Sequence, residues 1–304
     1  MGEHVRKVGH KKTESTHTMS ALPKRSRRDF IRKAGAGSLA LGAWSSLSTS
    51  LVAGSLIPAG KEFLFKLGIA GYTFAKLDLS SSLEIMGTVG IDYLSIKSFH
   101  LPLDSTDDQI REFHTTLSAL GIQGYCVGPI YMHSEKEVDD AFAYAKRVGV
   151  NMIIGVPDYE LLPYAEKKVK AYNIRMAIHN HGPDNLPYPT ATDIMNRIGK
   201  MDERMGICLD IGHAIRAGEN PAMAIKKYTS RIFDMHIKDV TEASKNGKNI
   251  EVGRGIINLP EFFDVLSHTK YNGVCSLEYE KNMENPRVGI AESIGYLRGV
   301  LDAI

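Results

Sequence analysis

Four stretches of this 304-residue chain close an apolar run with residues that bind metals and move protons. They are His179-Asn180-His181-Gly182, Asp210-Ile211-Gly212-His213, His236-Ile237-Lys238-Asp239 and Leu277-Glu278-Tyr279-Glu280. Imidazole nitrogens and carboxylate oxygens together suit a divalent transition metal. If each run is a strand, period-2 alternation puts Asp234, His236 and Lys238 on one face, and Ser276, Glu278 and Glu280 likewise. His179, Asp210, His236 and Glu278 then form a set of two imidazoles and two carboxylates that leaves positions open for substrate oxygens. Two imidazoles favour Mn, Co, Zn or Fe over Mg. Such an ion polarises a carbonyl while a base removes the neighbouring C–H proton, the step shared by isomerisation, epimerisation and β-elimination. His100, His181 and Lys238 are further candidates to contact a substrate. So is Arg254, within the glycine-flanked Val252-Gly253-Arg254-Gly255.

Convergence of these residues requires a fold that brings four strand ends to one rim. From Phe63 onward short β-rich runs alternate with segments of helical period, the pattern of repeated βα units around a parallel sheet. Strands are predicted at Lys66–Ala70, Tyr93–Ile96, Gly124–Val127, Met152–Val156, Arg175–His179, Met205–Leu209, Ile232–Ile237 and Gly273–Leu277. Helices are predicted at Ser80–Val89, Thr106–Leu120, Glu135–Val148, Leu161–Tyr172, Thr190–Lys200, Pro221–Tyr228, Pro260–His268 and Gly289–Asp302. The second and third of these are followed by Gly121 and Gly149, as helix stops should be. Eight βα units in about 245 residues match a single-domain (β/α)8 TIM barrel, whose sites lie at the C-terminal ends of the strands. An open doubly wound sheet would carry a G-x-G-x-x-G turn after its first strand, and Gly68-Ile69-Ala70-Gly71-Tyr72-Thr73 lacks that spacing.

The four rim stretches, together with Gly68-Ile69-Ala70-Gly71-Tyr72 and His100-Leu101-Pro102, resemble the xylose-isomerase-like superfamily over residues 63–304. The likeness is most specific in the D-x-G-H, H-x-K-D and L-E-x-E segments. Members include sugar epimerases, hydroxypyruvate isomerase, inosose dehydratase and AP endonucleases, and the likeness is closest to sugar phosphate isomerase/epimerase proteins. The resemblance implies metal ligands at His179, Asp210, His236 and Glu278, a substrate-contacting histidine at His213, and Glu278 as catalytic base. It departs at His179, where the epimerases carry a glutamate that serves as the second base. Two-base epimerisation would therefore have to recruit His179 or His181.

The first sixty residues differ from the rest. Ten of the 37 Lys and Arg residues lie there against three acids, Glu3, Glu14 and Asp29, which leaves 27 basic and 32 acidic residues in 61–304. The basic pI belongs to this leader, so the remainder lacks the electrostatic footprint of a nucleic-acid binder. Ser26-Arg27-Arg28-Asp29-Phe30-Ile31-Arg32-Lys33, followed by an uncharged Gly/Ala/Ser/Leu-rich stretch to Gly60, resembles a twin-arginine signal peptide. Residues 1–60 are thus expected to be a cleaved leader, with no stable membrane anchor afterwards, and 61–304 a periplasmic barrel. Cys126, Cys208 and Cys275 sit in apolar runs and read as core residues. An exported enzyme meets few sugar phosphates, so the expected substrate is an unphosphorylated sugar or keto-sugar. The expectation is a metal-dependent sugar isomerase or epimerase, with β-elimination on 3-keto-glycosides as the alternative. An AP-endonuclease-like hydrolase and a non-catalytic sugar-binding protein rank below these.

Overall fold

The computed structural model describes residues 62–184 and 187–304. The twin-arginine stretch and the leader lie outside the described residues. Among the described residues no helix is long and apolar enough to cross a membrane.

Eight parallel strands close into a barrel: β1 (Lys66–Ala70), β2 (Tyr93–Ile96), β3 (Gln123–Met132), β4 (Met152–Pro157), β5 (Arg175–His179), β6 (Met205–Asp210), β7 (Ile232–Ile237) and β8 (Val274–Leu277). Each strand pairs with its sequence neighbours, and β8 returns to β1 with Lys66 opposite Val274 and Ile69 opposite Leu277. Strands covered on both faces should be apolar almost throughout, and β4 and β6 are buried at every position. One layer of side chains packs outward against the helices. Another fills the lower barrel, where Cys126, Met152, Ile154, Ala177 and Cys208 form a separate cluster. All three cysteines are buried free thiols.

Most of the helices begin where short polar side chains take up free N–H groups. Thr106 and Gln109 form a reciprocal capping box ahead of Asp107–Ala119, and Ser134 caps Glu135–Val148. Gly149 ends that second helix in the left-handed region at φ 78°, a conformation other residues adopt only at a cost.

Three features depart from the sequence reading. β3 runs five residues past Val127, since Gly128-Pro129 marks a register shift against β4 and does not stop the strand. A short helix, Ile211–Arg216, starts directly at the end of β6 because Asp210 is also its N-cap, with Oδ1 accepting from the His213 amide at 2.7 Å. After β7 a two-stranded antiparallel ribbon pairs Asp239–Val240 with Asn249–Ile250. The buried Asp239 carboxylate then gathers the loop behind it, accepting from the amides of Val240, Gly253, Gly255 and Ile257 at 2.9 to 3.2 Å.

Candidate metal centre

Each of β5 to β8 delivers one side chain to the C-terminal rim. His179 is the last residue of β5 and Asp210 the last of β6, while His236 is the inward residue one before the end of β7. Glu278 follows β8 and is fixed by its amide, which donates to the Ile237 carbonyl at 3.0 Å. One ligating atom from each of the four lies within 4.8 Å of the others, and all four residues are buried. His179 Nε2 faces His236 Nδ1 at 2.9 Å, and Glu278 Oε2 lies 3.2 Å from that same Nδ1. The opposite nitrogen, His236 Nε2, points to Asp234 Oδ2 at 3.7 Å, and Tyr125 Oη donates to Oδ1 of that buried carboxylate at 3.0 Å.

Charge decides what this arrangement is suited to hold. Lys238 Nζ sits 3.1 Å from Asp210, 2.9 Å from Glu278 and 2.5 Å from Glu280, so three carboxylates surround one ammonium. Burial opposes charge on Lys238, yet these carboxylates hold its pKa well above the ordinary lysine value. Burial likewise pushes Glu278 up, but His236 and Lys238 outweigh it and keep the carboxyl well below the usual range. Asp210 goes the other way: burial raises it in spite of the Lys238 ammonium. Its Oδ2 is buried and accepts no hydrogen bond. Burial, followed by the neighbouring imidazoles of His181 and His236, keeps His179 neutral and hence able to ligate. A carboxylate oxygen that pairs with Lys238 but accepts no hydrogen bond, a neutral imidazole and an excess of carboxylates over ammonium around Lys238 fit a divalent cation.

The cluster floors a cavity of about 260 Å³ whose lining includes His181, His213, Glu278 and Glu280. Burial lowers His181 to about 4 and His213 well below the ordinary histidine value, so both present neutral rings. Lys238 lies beneath, 3% exposed, and Gly212 makes room for its stem: a Cβ there would stand 2.8 Å from Lys238 Cγ.

Two expected substrate contacts lie elsewhere. His100 bonds the Leu77 carbonyl at 3.0 Å and lines a separate surface cavity with Leu101 and Pro102. Arg254 turns outward and forks onto Glu292, because Asp239 pins the flanking Gly253 and Gly255 amides inward. In their place the far wall of the cavity is made by Tyr72, Lys97, Pro129 and Tyr131. Lys97 is the first polar residue after the β2 run, so the rule applied to strands five to eight would also have found it. A larger cavity of about 560 Å³ opens at the opposite end of the barrel, lined by Arg175, Phe233 and Tyr271 among others. Its lining holds no carboxylate, and it offers no ligand set.

Comparison with known proteins agrees with the barrel fold. The family model described as a xylose isomerase-like TIM barrel matches residues 83–300. Inosose dehydratase 2 of Bacillus cereus is 27% identical over 143 residues, which are 41% of this chain and 47% of that protein. The chain thus spans about half the length of the curated relatives it matches. A crystal structure of a Parabacteroides distasonis ATCC 8503 protein of uncharacterised function is 27% identical, with a TM-score of 0.61 over 78% of this chain and 99% of that one. The crystal structure of the IOLI protein with a bound zinc atom is 18% identical and shares the fold, with a TM-score of 0.66 over 79% of this chain and 99% of that one.

Proposed function

Because this chain belongs to the xylose isomerase-like TIM-barrel family, we propose that its rim site is that of a metal-dependent lyase, which eliminates the substituent β to the ketone of an unphosphorylated keto-sugar such as a 3-keto-glycoside. The observation that carries this reading is the make-up of the donor set. β8 supplies a carboxylate, Glu278, whereas β5 supplies an imidazole, His179, so the pair of carboxylates needed for proton transfer on opposite faces of a substrate is missing. Elimination needs one base. Similarity to inosose dehydratases supports this over the isomerase or epimerase activity first expected from the sequence.

His179, Asp210, His236 and Glu278 would hold one divalent ion, with Mn, Co, Zn or Fe preferred to Mg. That ion, when bound, supplies Lewis-acid polarisation of the ketone. Glu278 takes the proton from the carbon next to the ketone. Held ionised by His236 and Lys238, it is always in the basic form, but it is a weak base, so the acidity of the substrate must be raised for transfer to proceed. His181, a neutral ring lining the same cavity, is the next candidate for the base, and His213 is placed to bond a sugar hydroxyl. Export by the twin-arginine route is part of the proposal, since it accounts for an unphosphorylated substrate. Replacing both Arg27 and Arg28 by Lys should retain the chain in the cytoplasm.

The test is NMR of the metal-loaded protein in heavy water with 3-keto-glycosides and with free ketoses. Elimination releases the aglycone and an unsaturated keto-sugar without consuming a hydride cofactor. A free ketose converted to an aldose or an epimer, with keto-glycosides untouched, would restore the isomerase reading. Protein that binds no metal and turns over neither substrate would leave a sugar-binding role.

A further inference from the structure

An elimination that starts beside a ketone must also finish at the departing oxygen, and the residues on β5 to β8 do not provide for that end. Their one ammonium, Lys238, is held by three carboxylates and does not line the cavity. Directly across stands Lys97, the lysine that lines the cavity among the described residues. Its Nζ donates to the Pro129 carbonyl at 2.5 Å and lies 5.8 Å from the centre of the Tyr72 ring. Among the described residues it forms no ion pair with a carboxylate, and its electrostatic coupling is to Glu278 across the cavity. An ammonium with one acceptor has two further protons to offer to whatever fills the space.

We propose that Lys97 is the general acid that protonates the oxygen leaving the substrate, and that this oxygen is glycosidic. The assignment rests on the elimination reading above. In the step, the base removes the proton from the carbon beside the ketone, and the C–H electron pair becomes the new C=C bond. The C–O bond at the next carbon breaks, its pair stays on oxygen, and a Lys97 proton completes an alcohol. The products are an enone sugar and the free aglycone. Lys97 is left neutral and the base protonated, and both are reset by exchange with water, so no oxidant or reductant is needed. Burial lowers the pKa of Lys97, which makes it a better donor than a surface lysine. Tyr72 and Tyr131, 40% and 44% exposed, flank it as aromatic surfaces against which the aglycone side of a glycoside would lie.

The experiment compares wild type, Lys97→Met and Lys97→Arg, all metal-loaded, on 3-keto-glucosides carrying either a methoxy or a 4-nitrophenoxy leaving group. Exchange of the carbon-bound proton with heavy water is followed in the same samples. A departing methoxide needs a proton and a nitrophenolate does not. Methanol release should therefore fall by roughly 10²–10⁴-fold in both variants, with nitrophenolate release and proton exchange close to wild type. Arginine keeps the charge but does not give up its proton, so the Arg variant separates acid catalysis from electrostatic support and stands in if the Met variant does not fold. Equal losses on both leaving groups would make Lys97 a binding residue and overturn the assignment, as would no loss on either. Wild-type protein that exchanges the proton but releases no leaving group would overturn the elimination reading itself. A leaving-group-selective loss on Tyr131→Phe, absent from the lysine variants, would move the acid to Tyr131.

Discussion

Strands β5 to β8 and strands β1 to β3 face each other across one cavity and furnish it with opposite kinds of chemistry. The first half is a mesh of buried charge: His179, Asp210, His236, Lys238 and Glu278 are each no more than 4% exposed, and every one depends on another for its protonation state. The second half is open and mostly aromatic, with Tyr72 and Tyr131 standing well into solvent beside a single ammonium that has no carboxylate partner among the described residues. Buried charges in contact are strongly coupled, so removing one strands its partners and the losses do not add. Exposed aromatic walls act on whatever part of a substrate reaches them. The ligand half should thus set whether a reaction occurs, and the open half which substrate undergoes it.

The sharpest way to break that contrast is to empty the ligand half. Asp210→Ala or His236→Ala should abolish metal binding, read by elemental analysis of dialysed protein, and reduce turnover to background while circular dichroism still reports a folded barrel. Full metal content in both variants would refute the centre. Glu278→Gln keeps the size and one ligating oxygen but removes the base. It should retain much of the metal while the rate of proton exchange falls by about 10²–10⁴-fold; wild-type exchange would shift the base to His181. A smaller effect is expected at Gly212, where an added Cβ would meet Lys238 Cγ at 2.8 Å and Cδ at 2.9 Å. Gly212→Ala must push the stem aside, at a cost of about 1–3 kcal/mol in denaturant unfolding. An unchanged midpoint would show that the lysine has room to spare. Least of all should change at Arg254, whose pair with Glu292 is solvent-exposed and belongs to neither half. Arg254→Ala should alter stability by no more than about 0.5 kcal/mol and leave KM unaltered, and a raised KM would return it to the substrate site.

The same contrast governs how much of the site is legible in the amino-acid sequence. The ligand half is legible because each of its residues ends an apolar run and alternation fixes which way it points. Alternation puts Asp234, His236 and Lys238 on one face, and all three are buried there. The open half is less legible, for two reasons. Lys97 meets the same strand-end rule, but it stands without neighbouring candidate ligands and so passes for a solvated strand end. Tyr131 lies past Gly128-Pro129, a pair that normally punctuates a strand, whereas here β3 absorbs it with a register shift. His100 and Arg254 fall outside the cavity lining because loop side chains follow hydrogen bonds to distant parts of the chain, to Leu77 in one case and Glu292 in the other, and no periodicity records those. The helix at Ile211 is hidden in the sequence since Asp210 both belongs to the candidate ligand cluster and caps the helix through Oδ1.

The carboxylate of Asp239 carries an implication for how this rim can vary. Four amides drawn from Val240 to Ile257 converge on its two oxygens, and one of them belongs to Gly253, held at φ 94° with the Tyr296 ring where a Cβ would be. A loop fastened in this way is gauged by length and not by side chains. Residues such as Arg254 and Ile256 are free to drift, while an insertion or deletion between Gly253 and Ile257 would strip buried acceptors of their donors. New specificities should therefore be grafted onto the segments after β1, β2 and β3, with the span behind β7 kept at fixed length.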